Sequence, residues 1–314
     1  MKIVEKNINK FFIFFLVFHT IIWTLIPTIS NTNLPLDTIE ALAWSNEIKL
    51  GYDKYPPVFP LIIEFFFKIF GNQDWAFYFL SQVLIIITFI IVFKFSEDIF
   101  NKKIYSLISI FLLEGIFFFN FTSPELNPLL CQMPFVAATV FYCWRSINYN
   151  NNASWILFGI FSGLSVLTFY LSFYQITSLG LLFIYIIIKE KKINLKYLYF
   201  FISFIIVITP HLIWVFNNNF ITINYGLFRS VGDPLSDLGH NKFADHIYYP
   251  VLFLLKQMVI LLPFLTIFLL ITSKPKAKIN FKDKKLLFLV SITILPIFLM
   301  FLTSFFTGSR IRTM

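Results

Sequence analysis

The chain has 314 residues, of which 58% are hydrophobic and only 13% are charged, and its net charge is +9. Soluble domains carry roughly 25% charged residues, so too little charge is present here to cover a water-facing surface. The positive charge is not gathered on a soluble basic face interleaved with aromatic residues, so no nucleic-acid partner is expected. The composition therefore predicts a membrane protein.

Apolar segments that can cross a bilayer recur along the whole chain. A spanning helix takes about 20 residues, and its backbone polar groups must be satisfied within the segment, so each span is expected to be α-helical. The predicted spans are Phe11–Thr28, Trp75–Phe95, Ile104–Asn120, Pro128–Trp144, Trp155–Tyr170, Phe173–Ile188, Tyr197–Phe216, Pro250–Ile271 and Leu286–Phe306. The predicted fold class is an all-α polytopic membrane protein, with a single transmembrane domain over residues 1–314.

The distribution of Lys and Arg predicts the orientation. With the N-terminus in the cytoplasm, the inner segments hold more than twice as many Lys and Arg residues as the outer segments. This asymmetry is the usual signal of a cytoplasmic N-terminus. Two long loops, residues 29–74 and 217–249, then lie outside together with most of the acidic residues. Long loops in compact proteins are commonly functional, so chemistry is expected there.

The first long loop carries the densest polar cluster of the chain. On a helix, Asp37, Glu40 and Trp44 would share one face, because they are spaced i, i+3 and i+7. Two carboxylates and an indole ring suit a sugar, with the carboxylates for proton transfer and the ring for the apolar sugar face. The alternative is a capping box, with Asp37 as N-cap and Glu40 at the third helical position. The spacing leaves both interpretations open.

Further along the same loop, Lys54 precedes the stiff Pro56-Pro57 pair. Lys54 could bind a phosphate as a point charge, or extend its ammonium group to the membrane surface. The segment Val58–Phe70 predicts a short helix lying in the membrane interface. Its Glu64 and Lys68 are expected to pair on the wet side, four residues apart.

Other polar groups lie near the ends of later spans. Glu125 and Asn127 fall between two spans, and Pro210 is expected to kink the seventh span next to His211. His211 and Arg229 could converge on a phosphate, which Arg can bind through two parallel hydrogen bonds. The alternatives are a structural histidine beside a helical proline and an arginine that meets lipid headgroups. The remaining histidines show no metal-ligand spacing.

These clusters, in this order, resemble the polyprenyl-phosphate-sugar-dependent membrane glycosyltransferases of the protein O-mannosyltransferase and aminoarabinose-transferase superfamily, in particular the bacterial branch that modifies lipopolysaccharide. The resemblance runs from about Trp23 to Arg312. The shared pattern is Asp37-x-x-Glu40-x-Leu42-x-Trp44, Gly51-Tyr52-x-Lys54-x-Pro56-Pro57, Glu125-x-Asn127, Pro210-His211-x-x-Trp214 and Tyr225-x-x-x-Arg229.

The resemblance implies a bundle of about nine transmembrane helices like that of the C-type glycosyltransferases, with a helical first periplasmic loop. It also implies inverting transfer of a hexosyl or pentosyl group at the periplasmic face of a bacterial inner membrane. The donor would be a polyprenyl-phosphate-linked sugar, and the acceptor a lipid such as lipopolysaccharide or a protein hydroxyl. No cofactor is expected, and a requirement for a divalent metal is left open.

The resemblance assigns a role to each residue of the pattern. Asp37 would be the general base, supported by Glu40. Lys54, His211 and Arg229 would bind the donor phosphate. The remaining members would line the substrate site: Trp44, Tyr52, Glu125, Asn127 and Tyr225.

Three departures from the pattern leave other functions open. Tyr55 stands where the branch tends to have His, and Phe169 stands where it often has Lys before Tyr170. The chain ends at Met314 where relatives continue, so a C-terminal truncation is expected. An inactive membrane scaffold is one alternative. A transporter or flippase of a lipid-linked saccharide is another, although transporters favour polar sites near the membrane midplane, and here the polar clusters lie in outer loops.

Overall fold

A computed structural model describes residues 2–231, 242–271, 280 and 283–311. Over these ranges the regular structure is entirely helical, with one short 3₁₀ turn at Phe117–Phe119. This confirms the predicted all-α class. The helices are α1 (Lys2–Ser30), α2 (Leu36–Ser45), α3 (Val58–Phe70), α4 (Asp74–Phe100), α5 (Lys103–Leu113), α6 (Pro128–Tyr149), α7 (Asn152–Thr168), α8 (Ser172–Glu190), α9 (Tyr197–Asn217), α10 (Ile221–Val231), α11 (Lys242–Ile271) and α12 (Lys284–Thr307).

Every predicted span contains a helix. In the described part of the chain, six helices are long and apolar enough to cross a membrane. They are Asn7–Ser30, Asp74–Phe100, Ser172–Glu190, Tyr197–Asn217, Phe243–Leu270 and Lys284–Thr307. Helices α5 and α7 are apolar but shorter. The protein is therefore a multi-pass membrane protein, as predicted.

The first long loop is packed onto the bundle as two helices, α2 and α3. Phe59 and Ile63 of α3 are fully buried and belong to the same apolar core as residues of α1, α4, α5 and α6. Helix α3 has the bounds expected from the sequence. Glu64, however, is not on a wet side: it is buried and accepts a hydrogen bond from the Ser45 hydroxyl of α2 at 3.0 Å, while Lys68 pairs with it from the exposed side.

The third predicted span, Ile104–Asn120, is interrupted. Helix α5 ends at Leu113, and a buried His19 on α1 contacts both the carboxylate of Glu114, at 3.1 Å, and the carbonyl oxygen of Phe119, at 2.9 Å. In an apolar region, a break in a helix persists where other groups satisfy the freed backbone. The long apolar run therefore did not predict where this helix ends, because a side chain from α1 stabilises the break.

Helix α7 packs against α6 on one side and α9 on the other. Glycine at position 159 permits the approach of α9, since a Cβ atom there would overlap the Ser203 hydroxyl and the Phe200 carbonyl oxygen. Small residues allow membrane helices to pack closely, and such packing is a main source of their association. The α7–α9 contact therefore depends on this glycine.

We expect Gly159→Ala to lower the free energy of unfolding by about 1–3 kcal/mol, because the added methyl group overpacks the α7–α9 interface. The matched control is Gly180→Ala on α8, where a Cβ atom meets nothing within 4 Å. That variant should be unchanged, or stabilised by up to about 1 kcal/mol through helix propensity. Thermal unfolding in detergent compares the two, and equal losses in both would contradict the interpretation.

Candidate active site

Two acids and a lysine of the first long loop meet in the structure. Asp37 and Glu40 lie one turn apart on α2, and the ammonium nitrogen of Lys54 is 3.3 Å from Asp37 Oδ1 and 2.5 Å from Glu40 Oε2. The Tyr55 hydroxyl donates a second hydrogen bond to Asp37 Oδ1, at 3.1 Å. We call Asp37, Glu40, Lys54 and Tyr55 the carboxylate cluster. The family resemblance predicts a role for Asp37, Glu40 and Lys54. Tyr55 is one of the positions at which the sequence departs from the family pattern.

The capping-box interpretation of the two acids is wrong. The residue before α2 is Pro35, and no side-chain hydrogen bond caps the helix. The carboxylate of Asp37 instead points to Lys54 and Tyr55. Charge-assisted contacts to an ammonium group are stronger than neutral ones, which explains why these carboxylates bind the lysine in place of their own backbone.

Two connections hold α2 in this position. The buried Thr38 hydroxyl donates to the carbonyl oxygen of Leu126 at 2.8 Å, which ties the turn after Asp37 to the segment before α6. That carbonyl lies between Glu125, which is exposed, and Asn127, which is buried. Asn127 caps α6 by accepting a hydrogen bond from the Leu130 amide at 3.0 Å. The hydrogen bond between Thr38 and Leu126 therefore brings Glu125 and Asn127 close to the helix that carries Asp37.

Aromatic rings form one wall of the carboxylate cluster. The rings of Trp44 and Tyr52 stack with centroids 6.5 Å apart, and Trp44 meets Tyr55 edge-on at 5.7 Å. Tyr55 in turn contacts Phe169 edge-on at 6.2 Å. The two positions that depart from the family pattern, Tyr55 and Phe169, thus touch each other at the site. The sequence distance between them gave no signal of this contact.

His211 is fixed by protein groups on both sides of its ring. Its Nδ1 lies 2.6 Å from the Leu50 carbonyl oxygen, and its Nε2 lies 2.6 Å from the Tyr170 hydroxyl. Trp214 stacks on the same imidazole at a centroid distance of 6.0 Å, and Gly51 packs against Trp214. We call this set the His211 brace. It connects α9 and the start of α8 to the loop that carries Lys54, so His211 lies near the site without a free ring nitrogen.

The His211 brace predicts how two substitutions behave. Tyr170→Phe removes one of the two hydrogen bonds to His211 and should lower the stability by about 1 kcal/mol, whereas His211→Ala should cost about 1–3 kcal/mol because it removes both bonds and the ring contacts. Tyr174→Phe on α8 is the control, since the Tyr174 hydroxyl makes no hydrogen bond with any residue that the structure describes. If His211→Ala lowered donor affinity with no change in thermal unfolding, His211 would be a direct ligand instead.

Arg229 is not brought to the carboxylate cluster. It is exposed on α10, where its Nη1 donates to the Tyr225 hydroxyl at 2.9 Å and its guanidinium group lies 5.7 Å from the Tyr225 ring centre. Within the described ranges, no contact joins Arg229 to Lys54 or to either acid. Helix α10 itself is attached to the first loop, because the buried Thr222 hydroxyl donates to the Tyr52 carbonyl oxygen at 2.7 Å.

The surroundings of Lys54 and Tyr55 favour the protonated form of both side chains. Burial alone would lower the pKa of Lys54, but the hydrogen bond to Glu40 and the interactions with Tyr55 and Asp37 outweigh it, so the pKa is raised. Burial likewise raises the pKa of the Tyr55 phenol. The site therefore presents a lasting positive charge and a lasting hydroxyl donor beside two carboxylates.

The raised pKa of Lys54 predicts an alkaline limit to the stability of the cluster. An unfolded lysine has a pKa of about 10.5, so the stabilisation is fully present below that pH and is lost as the pH rises through the higher folded pKa. The difference in thermal stability between wild type and Lys54→Met should be constant between about pH 7 and pH 10 and should shrink above that. Lys49→Met, which breaks an exposed pair with Glu47, should show little difference at any pH.

Comparison with known proteins assigns the chain to a family. A family model described as dolichyl-phosphate-mannose-protein mannosyltransferase matches residues 54–214, about half of the chain. The chain belongs to this family. Its members are membrane glycosyltransferases that use polyprenyl-phosphate-linked sugar donors, which confirms the predicted superfamily. Neither the comparison with curated proteins nor that with solved structures gives a match.

The family match begins at Lys54 and ends at Trp214, so it contains the lysine of the carboxylate cluster and the part of the His211 brace formed by Tyr170, His211 and Trp214. It does not reach α2. The two acids are therefore connected to the family region by their contacts with Lys54 and Tyr55. Among the side chains that the structure describes, no three His, Cys, Asp or Glu groups gather as potential metal ligands. At the carboxylate cluster, the cation between the two acids is a lysine.

Proposed function

We propose that this chain is an inverting glycosyltransferase that moves a hexosyl or pentosyl group from a polyprenyl phosphate to a hydroxyl group. The acceptor is a lipid, such as the lipid A part of lipopolysaccharide, or a protein. The observation that carries the proposal is the carboxylate cluster, in which two acids of α2 share one lysine. The family supplies the class of donor, and the cluster supplies a base and a phosphate-binding charge within one site.

The reaction assigned to the cluster is a single displacement. Asp37 takes the proton of the acceptor hydroxyl while the acceptor oxygen attacks C1 of the sugar from the face opposite the phosphate. The bond between C1 and the phosphate oxygen breaks, and polyprenyl phosphate leaves with the electron pair. Attack from the opposite face inverts the configuration at C1. Glu40, which makes the shorter contact with Lys54, keeps that lysine beside Asp37.

Lys54 stabilises the negative charge of the departing phosphate. Its ammonium group is already oriented by two carboxylates and lies 4.9 Å from the Tyr55 ring centre, so little reorganisation is needed when the donor arrives. Arg229 is the second cation that we assign to the phosphate, because it is exposed on a helix that Thr222 attaches to the same loop. His211 supports the loop from behind through the Leu50 carbonyl. No cofactor is part of the proposed reaction.

The aromatic wall and the neighbouring polar groups are assigned to the sugar and the acceptor. The stacked rings of Trp44 and Tyr52 suit the apolar face of a sugar, and Glu125, Asn127 and Tyr225 supply hydrogen-bonding groups around it. The bias of Lys and Arg supports a cytoplasmic N-terminus, and we assign the chain to a bacterial inner membrane with the carboxylate cluster facing the periplasm. A donor with a polyprenyl tail can reach such a site from the lipid while its sugar remains in water.

The proposal is tested with purified protein in proteoliposomes that contain a labelled polyprenyl-phosphate sugar and lipid A. We expect labelled lipid A and free polyprenyl phosphate to form in equal amounts. A protein acceptor is tested in parallel. Label that crosses the bilayer without any acceptor, and without product, would identify a transporter instead. Neither transfer nor movement with any acceptor would indicate a scaffold and would overturn the enzymatic proposal.

A further inference from the structure

A second polar site lies at the other end of the bundle. A cavity of about 600 Å³ opens between the C-terminal ends of α6 and α8 and the N-terminal ends of α7, α9 and α12. We call it the basic cavity. Its walls are aromatic, with Trp144, Trp155 and Phe288 among them, and its lining also contains four lysines. These lysines are Lys189, Lys192, Lys196 and Lys284.

The basic cavity and the carboxylate cluster lie at opposite membrane faces. On α9, His211 belongs to the brace that supports Lys54, whereas Tyr197 lines the basic cavity. These positions are 14 residues apart in one continuous helix, which is a distance of about 21 Å along the axis. The cavity therefore takes no part in the proposed transfer reaction, and its lysines need a different explanation.

The rim of the basic cavity is built from two chain reversals that hydrogen-bond to each other. Asn150 ends α6 in a left-handed conformation, with φ of 46°, and its side-chain oxygen accepts from Trp155 Nε1 at 3.1 Å and from Asn194 Nδ2 at 2.8 Å. The ammonium group of Lys196 donates to the Asn150 backbone oxygen at 2.5 Å. The α6–α7 and α8–α9 connections are thus fixed together, and the cavity is formed before any ligand binds.

The charges of the lining are not balanced within the site. Glu190 is its one acidic side chain against four lysines, and it is 3.8 Å from Lys284. Lys189 lies 5.7 Å from the ring centre of Tyr185 and is exposed. Lys192 is also exposed, and its ammonium group makes no hydrogen bond or ion pair with the residues that the structure describes. Two ammonium groups at the rim are therefore available to an anion.

We propose that the basic cavity binds the headgroup phosphate of an anionic phospholipid, taken from the leaflet opposite the carboxylate cluster. Lysines clustered between transmembrane helices attract such headgroups, each contributing through its charge near the membrane surface. Aromatic rings at the level of the headgroups suit the glycerol and the upper acyl chain, since they combine an apolar body with a polar edge. A soluble anion would use the lysines but would leave the exposed apolar part of the lining, Tyr185, Ile193 and Leu195, without a partner.

The test is native mass spectrometry of the protein released from nanodiscs of mixed phosphatidylglycerol and phosphatidylcholine. We expect wild type to retain a phosphatidylglycerol molecule. Lys189→Ala with Lys192→Ala should weaken its retention about fivefold for each lysine removed. The matched control is Lys10→Ala with Lys102→Ala, which removes the same charge from exposed positions that are not in the lining. The control should change retention by less than about twofold.

Three outcomes would overturn the proposal: no retained phosphatidylglycerol in wild type, equal loss in the control variant, or complete displacement by millimolar inorganic phosphate. The second would indicate general surface attraction and the third a soluble anion. Lys192→Arg keeps the charge and should retain the lipid, and thermal unfolding of each variant separates lipid loss from misfolding. Because the readout is lipid retention, it remains informative whether or not sugar transfer is observed.

Discussion

Asp37→Asn is expected to lower the rate of sugar transfer by about 10²–10⁴-fold, the range that a positioned general base contributes. Asparagine has nearly the same shape and can still accept a hydrogen bond from the Tyr55 hydroxyl, so the fold should be retained. It cannot take a proton from the acceptor. Binding of the polyprenyl-phosphate donor should therefore persist while turnover is lost, which single-turnover kinetics in proteoliposomes would show.

The control for this substitution is Asp53→Asn, the same change at an exposed acid of the same loop, next to Lys54 in sequence. The transfer rate of this variant should remain within about twofold of wild type, because substitutions at exposed positions outside the buried hydrogen-bond and ion-pair contacts have small effects. Transfer by Asp37→Asn at the wild-type rate would remove Asp37 as the base.

Glu40→Gln separates the roles of the two acids. The contact of Glu40 with Lys54 is shorter than that of Asp37, and we assign Glu40 to orienting the lysine. Its loss should lower transfer less than Asp37→Asn does. A larger loss at Glu40 would reverse the two assignments while leaving the proposed reaction intact.

The second large effect is expected for Lys54→Ala, which should lower turnover by about 10²–10³-fold, as removal of one preorganised charge-stabilising group does. The substitution also leaves Asp37 and Glu40 without the cation that they share, so Asp37 loses the partner that orients it. The Michaelis constant for the donor should rise in parallel. Lys54→Arg should restore part of the rate, because charge is retained but its geometry differs.

Lys49→Ala is the matched control for Lys54, since Lys49 lies on the same loop and pairs with Glu47 at an exposed position. Exposed pairs of this kind contribute little, so neither the rate nor the stability should change measurably. If Lys49→Ala and Lys54→Ala lowered transfer equally, the effect would come from the general positive charge of the loop, and Lys54 would lose its assigned role.

The sequence by itself determined those features that depend on local composition. The apolar runs predicted all six described helices that are long and apolar enough to cross a membrane, because a helix that crosses lipid must be both. The bounds of α3 followed from the apolar segment after the double proline. The spacing of Asp37 and Glu40 placed both acids on one helical face, and family resemblance connected them with Lys54 before any distance was known.

The tertiary structure decided whatever depends on partners far apart in the chain. Tyr55 and Phe169 meet across 114 positions, and His211 is held by Leu50 and Tyr170, which no local pattern indicates.

The same reason explains the departures at α5 and Glu64. A side chain from α1 stabilises the break after Leu113, and the Ser45 hydroxyl of α2 holds Glu64 in a buried position. Periodicity reports which residues share a face of one helix, whereas the burial of a polar group depends on the hydrogen-bond partner that another helix brings to it.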